Sequence, residues 1–484
     1  MKKLVALVLS LVLVLGVLAA CDNGTDVTTA APTKAPEGTT AAPVTEPPVT
    51  NLQGELAVWS FTNELKTMTI AFKAANPDVV VTYVEIPADG GEFRQKAIAV
   101  ASTAECPDVI GLEAAFVKEF VDADGMLYDI SDLKVYADAL QTYANTIEVG
   151  TNYESGEIRA YSYQTTPGAV FYRRSLAKEY FGTDDPTEVQ ALMADMDKFT
   201  EMAATIKEKS GGKTFVVASV DEFRNSYFSN RTDPWFVDDT LVIDPKVDEL
   251  FEIAKVFREN GYEAAVNQWS EGWYNGMRDA LSDAGGNAIQ IFCYFLPTWG
   301  LPYVLSGNAG DATKGDWGCV AGPQAYQWGG TWVGVMKNAK NPEVAKEFVK
   351  FVALDETNLT NWATGVYTHD YLAAIDPELA GPAGEGELNQ PAGDFVSSKK
   401  VVDAITASFD NSEMSQFLGG QNSYAGFAAA APNVSARLFQ GSDESVQNML
   451  LDAIRQYASG AQTKDEAIAT FKDAVAAAFP DKSV

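Results

Sequence analysis

Histidine is almost absent from this sequence, in which His369 is the only one among 484 residues. Zinc sites built on several histidines and Ser-His-Asp triads both need histidine beside defined partners. The residues around His369 point to no serine or aspartate arrangement of that kind. Most histidine-dependent catalysis and histidine-rich metal binding is therefore excluded, and we expect no catalytic residues and no metal.

Cysteine is also scarce, with only Cys21, Cys106, Cys293 and Cys319 in the chain. None of them has the Cys-x-x-Cys or Cys/His spacing of a metal or redox site, so we expect no cofactor. In an exported chain, Cys293 and Cys319 are the pair more suited to a disulfide, because both lie in strand-like segments. Unpaired buried thiols are the other outcome.

Basic residues are few: 35 Lys and Arg stand against 66 Asp and Glu, for a net charge of −31. Nucleic-acid binding needs clustered Lys and Arg, so this balance argues against it. It also opposes binding to anionic lipid headgroups. The acidic residues are spread evenly, which is typical of a solubilising surface.

The N-terminus has the pattern of an export signal over residues 1–20. Lys2 and Lys3 precede an apolar run over residues 4–18 and then small residues, and the run is short for a membrane span. The Leu-Ala-Ala-Cys of residues 18–21 resembles the lipobox of bacterial lipoproteins. That resemblance implies that Cys21 is acylated and becomes the new N-terminus, so that a lipid, with no spanning helix, anchors the protein to the membrane.

Residues 21–51 after this signal are rich in Thr, Pro and Ala and contain no aromatic residue. The pentapeptide Thr-Thr-Ala-Ala-Pro occurs twice, beginning at Thr28 and at Thr39. Without apolar side chains to offset the entropy of ordering, this segment is predicted to be a flexible, lipidated linker. At coil-like dimensions it would reach on the order of 30 Å.

The remaining chain alternates strand and helix patterns and is long enough for two lobes. Strand-like residues 55–59, 79–86 and 108–112 alternate with helical residues 63–75 and 92–103. Such alternation predicts an α/β fold with mainly parallel sheets covered by helices on both faces. Because ligands bind beyond the carboxyl ends of parallel strands, the rule selects Trp59, Asn63 and Glu113.

Later segments continue the alternation. The pattern predicts one helix over residues 185–209 with Asp185 as its N-cap, a strand over 213–220, a helix over 245–260 and a strand over 288–295. Thr463 and Glu466 have the spacing of a capping box for the last helix.

Residues 269–332 hold six of the nine tryptophans of the chain. Their short apolar runs end in aromatic residues beside glycine or proline, which suggests the wall of a ligand cleft. The alternative is that these large side chains fill a core.

The order of these segments resembles that of the extracellular solute-binding proteins of ABC importers, specifically sugar-binding lipoproteins related to maltose-binding protein. The matching segments share their order along nearly the whole chain and are the lipobox, Ala-Val-Trp at 57–59, Ala-Asn-Pro at 75–77, Cys-Pro-Asp-Val-Ile at 106–110, Gly-Met-Leu-Tyr-Asp-Ile-Ser at 125–131, Phe-Tyr-Arg-Arg-Ser-Leu at 171–176, Gly-Gly-Thr-Trp at 329–332, Asn-Pro-Glu-Val-Ala-Lys-Glu-Phe at 341–348 and Tyr-Ala-Ser-Gly at 457–460. Arg173 and Arg174 depart from the Asn-Lys that the family has there.

The resemblance implies a two-lobed, periplasmic-binding-protein-like fold with the ligand cleft at the hinge. The N-terminal lobe would comprise residues 52–162 and 335–365, and the C-terminal lobe residues 163–334 and 366–484. It also implies a monomer, held at the extracellular face of the bacterial cytoplasmic membrane, that delivers its ligand to an ABC transporter permease.

The ligand-contact positions carried over from the family are expected to hold aromatic, amide, hydroxyl and carboxylate side chains. They are Trp59, Asn63, Glu64, Glu113, Tyr163, Gln164, Thr166, Tyr294, Phe295, Trp299, Trp328, Trp332, Gln421 and Tyr424. This set suits a carbohydrate, because a sugar ring offers an apolar face for stacking and hydroxyl groups for planar amides and carboxylates.

Two other functions remain open at this stage. A few acidic residues in an aromatic cleft would also hold a polyamine or the ammonium group of a peptide. An exported glycan-active enzyme would use two carboxylates across the scissile bond. No catalytic motif supports the enzyme, and aromatic residues at several strand ends favour an extended oligosaccharide over a small cation.

Overall fold

The structure of the protein, a computed structural model, describes residues 52–88, 91–384, 386–408 and 412–484. The predicted export signal, Cys21 and the linker over residues 21–51 lie outside the described residues. Within those ranges, no helix combines the length and apolar composition that a membrane crossing requires.

The strands of the described chain are short and mostly buried. In order they are β1 (Gly54–Ser60), β2 (Val79–Glu85), β3 (Val109–Glu113), β4 (Ala160–Ser162), β5 (Gly168–Arg173), β6 (Thr214–Phe215), β7 (Phe236–Val237), β8 (Thr240–Leu241), β9 (Gln290–Ile291), β10 (Cys293–Pro297), β11 (Trp317–Val320) and β12 (Thr331–Val335).

Helices connect most of these strands and form the C-terminal part of the chain. They are α1 (Glu64–Ala75), α2 (Glu92–Val100), α3 (Val117–Asp122), α4 (Lys134–Ala139), α5 (Ala144–Gly150), α6 (Arg174–Phe181), α7 (Pro186–Leu192), α8 (Met196–Ser210), α9 (Arg224–Ser229), α10 (Pro245–Glu259), α11 (Glu271–Met277), α12 (Gly307–Thr313), α13 (Pro342–Leu354), α14 (Glu356–Ala363), α15 (His369–Ile375), α16 (Pro377–Ala380), α17 (Lys399–Ser408), α18 (Ser412–Phe417), α19 (Tyr424–Ala430), α20 (Asp443–Ala458) and α21 (Lys464–Ala478).

The first sheet has five strands in the order β2-β1-β3-β12-β4. Its core is parallel, since β1 pairs in parallel with both β2 and β3. Strand β12 returns antiparallel between β3 and β4. Helices α1 and α13 pack against this sheet through buried apolar faces, as the helical periodicity predicts.

The second sheet is antiparallel where β5 lies between β10 and β11. The backbone N–H of Cys293 donates to the carbonyl of Val216 at 3.0 Å, which joins β10 to the chain that follows β6. The parallel core of the first sheet follows the sequence prediction. The antiparallel arrangement around β5 does not, because it depends on pairing between segments that are distant in sequence.

The three described cysteines are unpaired and buried. Cys293 lies opposite Tyr172 and Cys319 lies opposite Phe171, on the two sides of β5. Strand β5 therefore separates Cys293 from Cys319, and the two do not form the disulfide for which they were the more suited pair. The alternative, unpaired buried thiols, is what the structure shows.

Two predicted elements differ from the structure. The single helix predicted over residues 185–209 is two helices, α7 and α8, because the Asp195 side chain accepts a hydrogen bond from the N–H of Lys198 and begins a second helix. The strand predicted over residues 213–220 is confined to β6. Ser219 accepts from the N–H of Asp221 and begins the 3-10 helix Val220–Phe223.

Candidate ligand cleft

A cavity of about 420 Å³ lies beside the carboxyl end of β3. Its wall combines Glu113 at that strand end with Arg224 at the start of α9, and Trp328 and Gly329 in the segment that precedes β12. Further lining residues come from the rest of α9 and the turn after it, up to residue 232, and from the segment 435–448. The cavity therefore brings together residues from four separate parts of the chain.

Glu113 is the last residue of β3 and lies opposite Thr331 of β12. Its Oε2 accepts a hydrogen bond from the N–H of Ala115 at 2.8 Å. Burial raises the pKa of the Glu113 carboxyl from 4.5 to about 7, in spite of that hydrogen bond. Near neutral pH the side chain is thus present both as a hydrogen-bond donor and as an acceptor.

Arg224 supplies donors to the same cavity. Its guanidinium carbon lies 5.7 Å from the centre of the Trp328 ring, and burial lowers the pKa of the side chain. Within the described part of the chain, no group accepts a hydrogen bond from this guanidinium. Arg224 therefore offers unused donors beside an aromatic ring.

Trp328 belongs to a group of three tryptophans that we call the tryptophan box: Trp269, Trp299 and Trp328. The rings of Trp269 and Trp299 are parallel within 7°, with centres 6.3 Å apart. The Trp328 ring stands at 71° to both, at 5.6 Å and 5.4 Å. Such edge-to-face contacts fix ring orientation as well as burying apolar area.

The packing of the tryptophan box leaves no space for a side chain at Gly329. Its φ is +82°, and a β-carbon at this position would lie 2.7 Å from Nε1 of Trp299. That same Nε1 donates to the carbonyl of Trp328 at 2.9 Å. A side chain at residue 329 would push Trp299 out of this hydrogen bond, so the backbone can pass here only as glycine.

A second polar group surrounds Glu64 at the start of α1. The Tyr163 hydroxyl donates to Glu64, and the Trp362 indole donates to Asp394. Burial, with the nearby Asp394 carboxylate as a smaller cause, raises the pKa of Glu64 to about 7. Burial also raises the pKa of Asp394. Neither carboxyl forms an ion pair with a described residue, and burial favours the protonated form of both.

The sequence profile of the bacterial extracellular solute-binding protein family matches residues 59–359, more than half of the chain. The chain belongs to that family. Solute-binding proteins of this kind work with the permeases of ABC transporters, and the resemblance drawn from the sequence is confirmed.

Solved structures resemble this solute-binding protein over most of its length. One described as an extracellular solute-binding protein family 1 is 18% identical with a TM-score of 0.67, covering 86% of this chain and 97% of that one. The galacto-N-biose-/lacto-N-biose I-binding protein of Bifidobacterium longum, in complex with lacto-N-biose, is 16% identical with a TM-score of 0.61, covering 89% and 99%. The GacH receptor of Streptomyces glaucescens, solved unliganded and with acarbose, is 20% identical with a TM-score of 0.57, covering 90% and 100%.

These likenesses establish the two-lobed periplasmic-binding-protein fold, which confirms the predicted α/β fold class. No curated protein matches the chain. The lobe boundaries predicted for this solute-binding protein stay a prediction.

Of the predicted ligand-contact residues, Glu113 and Trp328 line the cavity, and Trp299 joins Trp328 in the tryptophan box. Glu64 and Tyr163 meet in the second polar group. Asn63 is exposed at the residue before α1. Ligand contact at each of these residues stays a prediction.

Other predicted residues have partners within the fold of the solute-binding protein. Gln164 Nε2 donates to Thr331 Oγ1 at 3.2 Å, and Thr166 Oγ1 donates to the carbonyl of Gly329 at 2.8 Å. Gln421 bonds the backbone of Cys319 in both directions, at 2.9 Å and 2.6 Å. These three side chains hold neighbouring strands and loops together.

The remaining predicted residues are aromatic. Tyr294, Phe295, Trp332 and Tyr424 are buried, and each packs against or bonds other core residues. Trp59 on β1 is half-buried, with the Lys96 ammonium 5.4 Å from its ring centre. In this conformation, the four buried rings are part of the core. Their contact with ligand stays a prediction.

Sequence reasoning missed Arg224, Trp269 and Asp394. Trp269 is the first residue of the tryptophan-rich stretch 269–332, so the enrichment in tryptophan did include it. Nothing in the sequence distinguished Trp269 from the other tryptophans of that stretch. Arg224 and Asp394 lie in segments without a motif, and only the folded chain brings Arg224 to the cavity and Asp394 to Glu64.

Proposed function

We propose that this solute-binding protein captures a carbohydrate, specifically an oligosaccharide, outside the cell and passes it unchanged to an ABC transporter permease. The observation that carries the proposal is the cavity wall, where Trp328 and Glu113 meet the Arg224 guanidinium, which donates no hydrogen bond to another described residue. An aromatic ring accepts the apolar face of a sugar, and the two polar groups match hydroxyls that both donate and accept.

The charges around the cavity support a neutral ligand. Three acidic residues, Glu113, Asp443 and Glu444, are balanced there by Arg224, Arg231 and Arg437. A ligand of strong single charge would meet groups of its own sign, whereas a polyhydroxylated ligand can bond with groups of both signs. The structural relatives with lacto-N-biose and acarbose add support from sugar-like ligands.

Carbohydrate binding is expected to depend on both the aromatic and the polar residues of the cavity wall. Trp328→Ala should weaken oligosaccharide binding by about 1–3 kcal/mol, because it removes the stacking ring but leaves the carbonyl that Trp299 uses. Glu113→Gln should weaken it less, since an amide still bonds hydroxyls. Isothermal titration calorimetry against mono- and oligosaccharides measures both effects.

Tyr153→Ala is the matched control, since Tyr153 is 84% exposed and does not line the cavity. It should leave affinity unchanged. Unaltered binding by the folded Trp328 variant would contradict the assignment of the cavity, and cleavage of the recovered saccharide would contradict binding without chemistry.

A cationic amine or a peptide is the second candidate class of ligand. The carboxyl groups of Glu64 and Asp394 favour it, because neither has an ion-pair partner among the described residues and an ammonium group would supply one. A thermal-shift screen decides between the classes: stabilisation by spermidine or a short peptide, with none by any saccharide, would replace the carbohydrate assignment.

The proposal places the protein at the extracellular face of the bacterial cytoplasmic membrane, as a monomer held by acyl chains such as palmitate on Cys21. The lipobox-like residues 18–21 after an apolar run support the anchor. The linker over residues 21–51 would let the binding domain reach its permease.

Cys21→Ser is expected to release the protein from the membrane, because the serine variant has no thiol to acylate. Partition between detergent and aqueous phases measures this, with labelled palmitate as the second readout. Cys106→Ser, at a buried position, is the matched control and should stay with the membrane. Recovery of the unaltered protein in the aqueous phase would contradict the anchor.

A further inference from the structure

Trp269 has an unusual backbone conformation for a large residue. Its φ is +68°, in the left-handed region that favours glycine. Among the described residues, the other non-glycine positions with positive φ are Gln141, Asp238, Asp239, Ala265 and Asp279. Trp269 is thus the one aromatic residue of that group, and its conformation costs free energy that the fold must offset.

Hydrogen bonds on both sides keep Trp269 in this conformation. The N–H of Gln268 donates to Asp221 Oδ2 at 3.0 Å, and the N–H of Ser270 donates to the carbonyl of Asn267 at 3.2 Å. Asp221 is itself held by Arg455 at 2.7 Å. Fixed neighbours of this kind allow a strained residue to persist, and such residues cluster at ligand clamps.

The conformation places the Trp269 ring partly in solvent. The residue is 43% exposed, whereas the other tryptophans are buried or half-buried. Its ring lies parallel to Trp299 and packs against Trp273 with centres 5.0 Å apart. A ring held at the surface by strain, with one side packed on other rings, is positioned to contact something outside the chain.

The position of Trp269 relative to the cavity indicates which part of a ligand it would meet. Trp328 lines the cavity, whereas Trp269 contacts the Trp328 ring and is not among the cavity-lining residues. Tyr303, which is 60% exposed, donates its N–H to the carbonyl of Trp299 at 3.1 Å and so lies one turn from it. We call Trp269, Trp299 and Tyr303 the outer platform.

We propose that Trp269 is a ligand-contact residue that stacks on a second sugar ring of the bound oligosaccharide, beyond the ring held beside Trp328. This inference rests on the proposed carbohydrate-binding function and adds that the ligand extends from the cavity across the outer platform. Trp269 then determines preference for ligand length, because it lies outside the set of residues that line the cavity.

The test compares Trp269 variants over ligands of increasing length. The probes are glucose, maltose and maltotetraose, and galactose with galacto-oligosaccharides of two and four rings. Calorimetric titration of Trp269→Ala should show at least a tenfold loss of affinity for the longest ligand bound and less than a twofold change for the monosaccharide. Trp269→Phe should retain most of the affinity, and Tyr153→Ala should change none of the values.

A second measurement tests the backbone conformation itself. Trp269→Gly should melt at a higher temperature than Trp269→Ala, because glycine alone accepts a φ of +68° without strain. Gln141 is the matched control: it is exposed and has a φ of +51°, so Gln141→Gly should likewise melt above Gln141→Ala, with affinity unchanged. A lower melting temperature for Trp269→Gly than for Trp269→Ala would contradict the strained conformation.

The outcomes separate this inference from the function on which it rests. If the unaltered protein binds saccharides and Trp269→Ala binds all lengths equally well, or loses affinity equally for all lengths, the assignment of Trp269 is overturned and the proposed function stands. If the unaltered protein binds no saccharide of either series, the proposed function fails and this inference fails with it.

Discussion

Replacing Trp332 by alanine is expected to lower the free energy of unfolding by about 3–5 kcal/mol. Trp332 lies on β12 between β3 and β4, and it is 1% exposed. Its Nε1 donates to the carbonyl of Thr146 at 2.8 Å. Alanine would leave a large cavity and an unpaired buried carbonyl, and both effects destabilise the fold. Denaturation in guanidinium chloride measures the change.

Trp332→Phe and Trp59→Ala are the matched variants. Phenylalanine keeps most of the buried apolar area and should cost less than alanine at the same position. Trp59 is half-buried, so its removal should also cost less than that of Trp332. A loss below about 1 kcal/mol for Trp332→Ala would contradict its core position, and titration of the folded Trp332→Phe variant tests its predicted ligand contact separately.

Raising the pH from 5 to 8 is expected to destabilise the protein by on the order of a few kcal/mol. Glu222 is buried, and its carboxyl oxygens accept from Nε1 of Trp273 at 2.5 Å and from the N–H of Phe295 at 2.9 Å. Burial raises the pKa of Glu222 from 4.5 to about 8, because desolvation outweighs both hydrogen bonds.

The sign follows from the direction of this pKa shift. The folded chain binds the Glu222 proton more tightly than the unfolded chain does. The resulting stability is complete below a pH of about 4.5 and is lost as the pH rises through about 8. Glu64 and Glu113, each with a pKa raised to about 7, act in the same direction over a narrower range.

Denaturation at several pH values tests this dependence. Glu222→Gln cannot titrate, so its stability should fall less between pH 6 and pH 8 than that of the unaltered protein. Glu208→Gln, at an exposed position, is the control and should keep the full dependence. An equal slope for the Glu222 variant and the unaltered protein would show that Glu222 is not the titrating group.

Local signals in the sequence predicted the elements whose ends depend on nearby residues. Thr463 and Glu466 form the predicted capping box of α21. Asp185 caps α7 and Pro186 is its first residue. These interactions join residues within one helical turn, so they can be predicted from residue types a few positions apart.

The role of each tryptophan could not be predicted in this way. Trp328 and Trp332 are four residues apart and share the same glycine-rich motif. Trp332 is buried because β12 lies inside the first sheet, between β3 and β4. Trp328 lies four residues earlier, before β12 begins, and lines the cavity. Which of the two tryptophans is buried in the core depends on the pairing of β12 with β3 and β4. That pairing is a property of the folded chain.

The second polar group illustrates the same limit for charged residues. Glu64 was predicted as a ligand contact because the resemblance to the family carries a contact over to that position. Its neighbour Asp394 comes from a segment far along the chain with no distinguishing motif. The effect of Asp394 on the pKa of Glu64 becomes visible only when the structure brings the two carboxyl groups together.

The buried, unpaired cysteines make the binding domain suitable for site-specific labelling. Burial raises the pKa of Cys106, Cys293 and Cys319, so little of each thiol is present as the reactive thiolate. In a chain that begins at Leu52, a cysteine introduced in place of the exposed Arg437 at the cavity wall would react with a maleimide dye far faster than these three. A fluorophore at that position would report ligand binding without removal of any native cysteine of the domain.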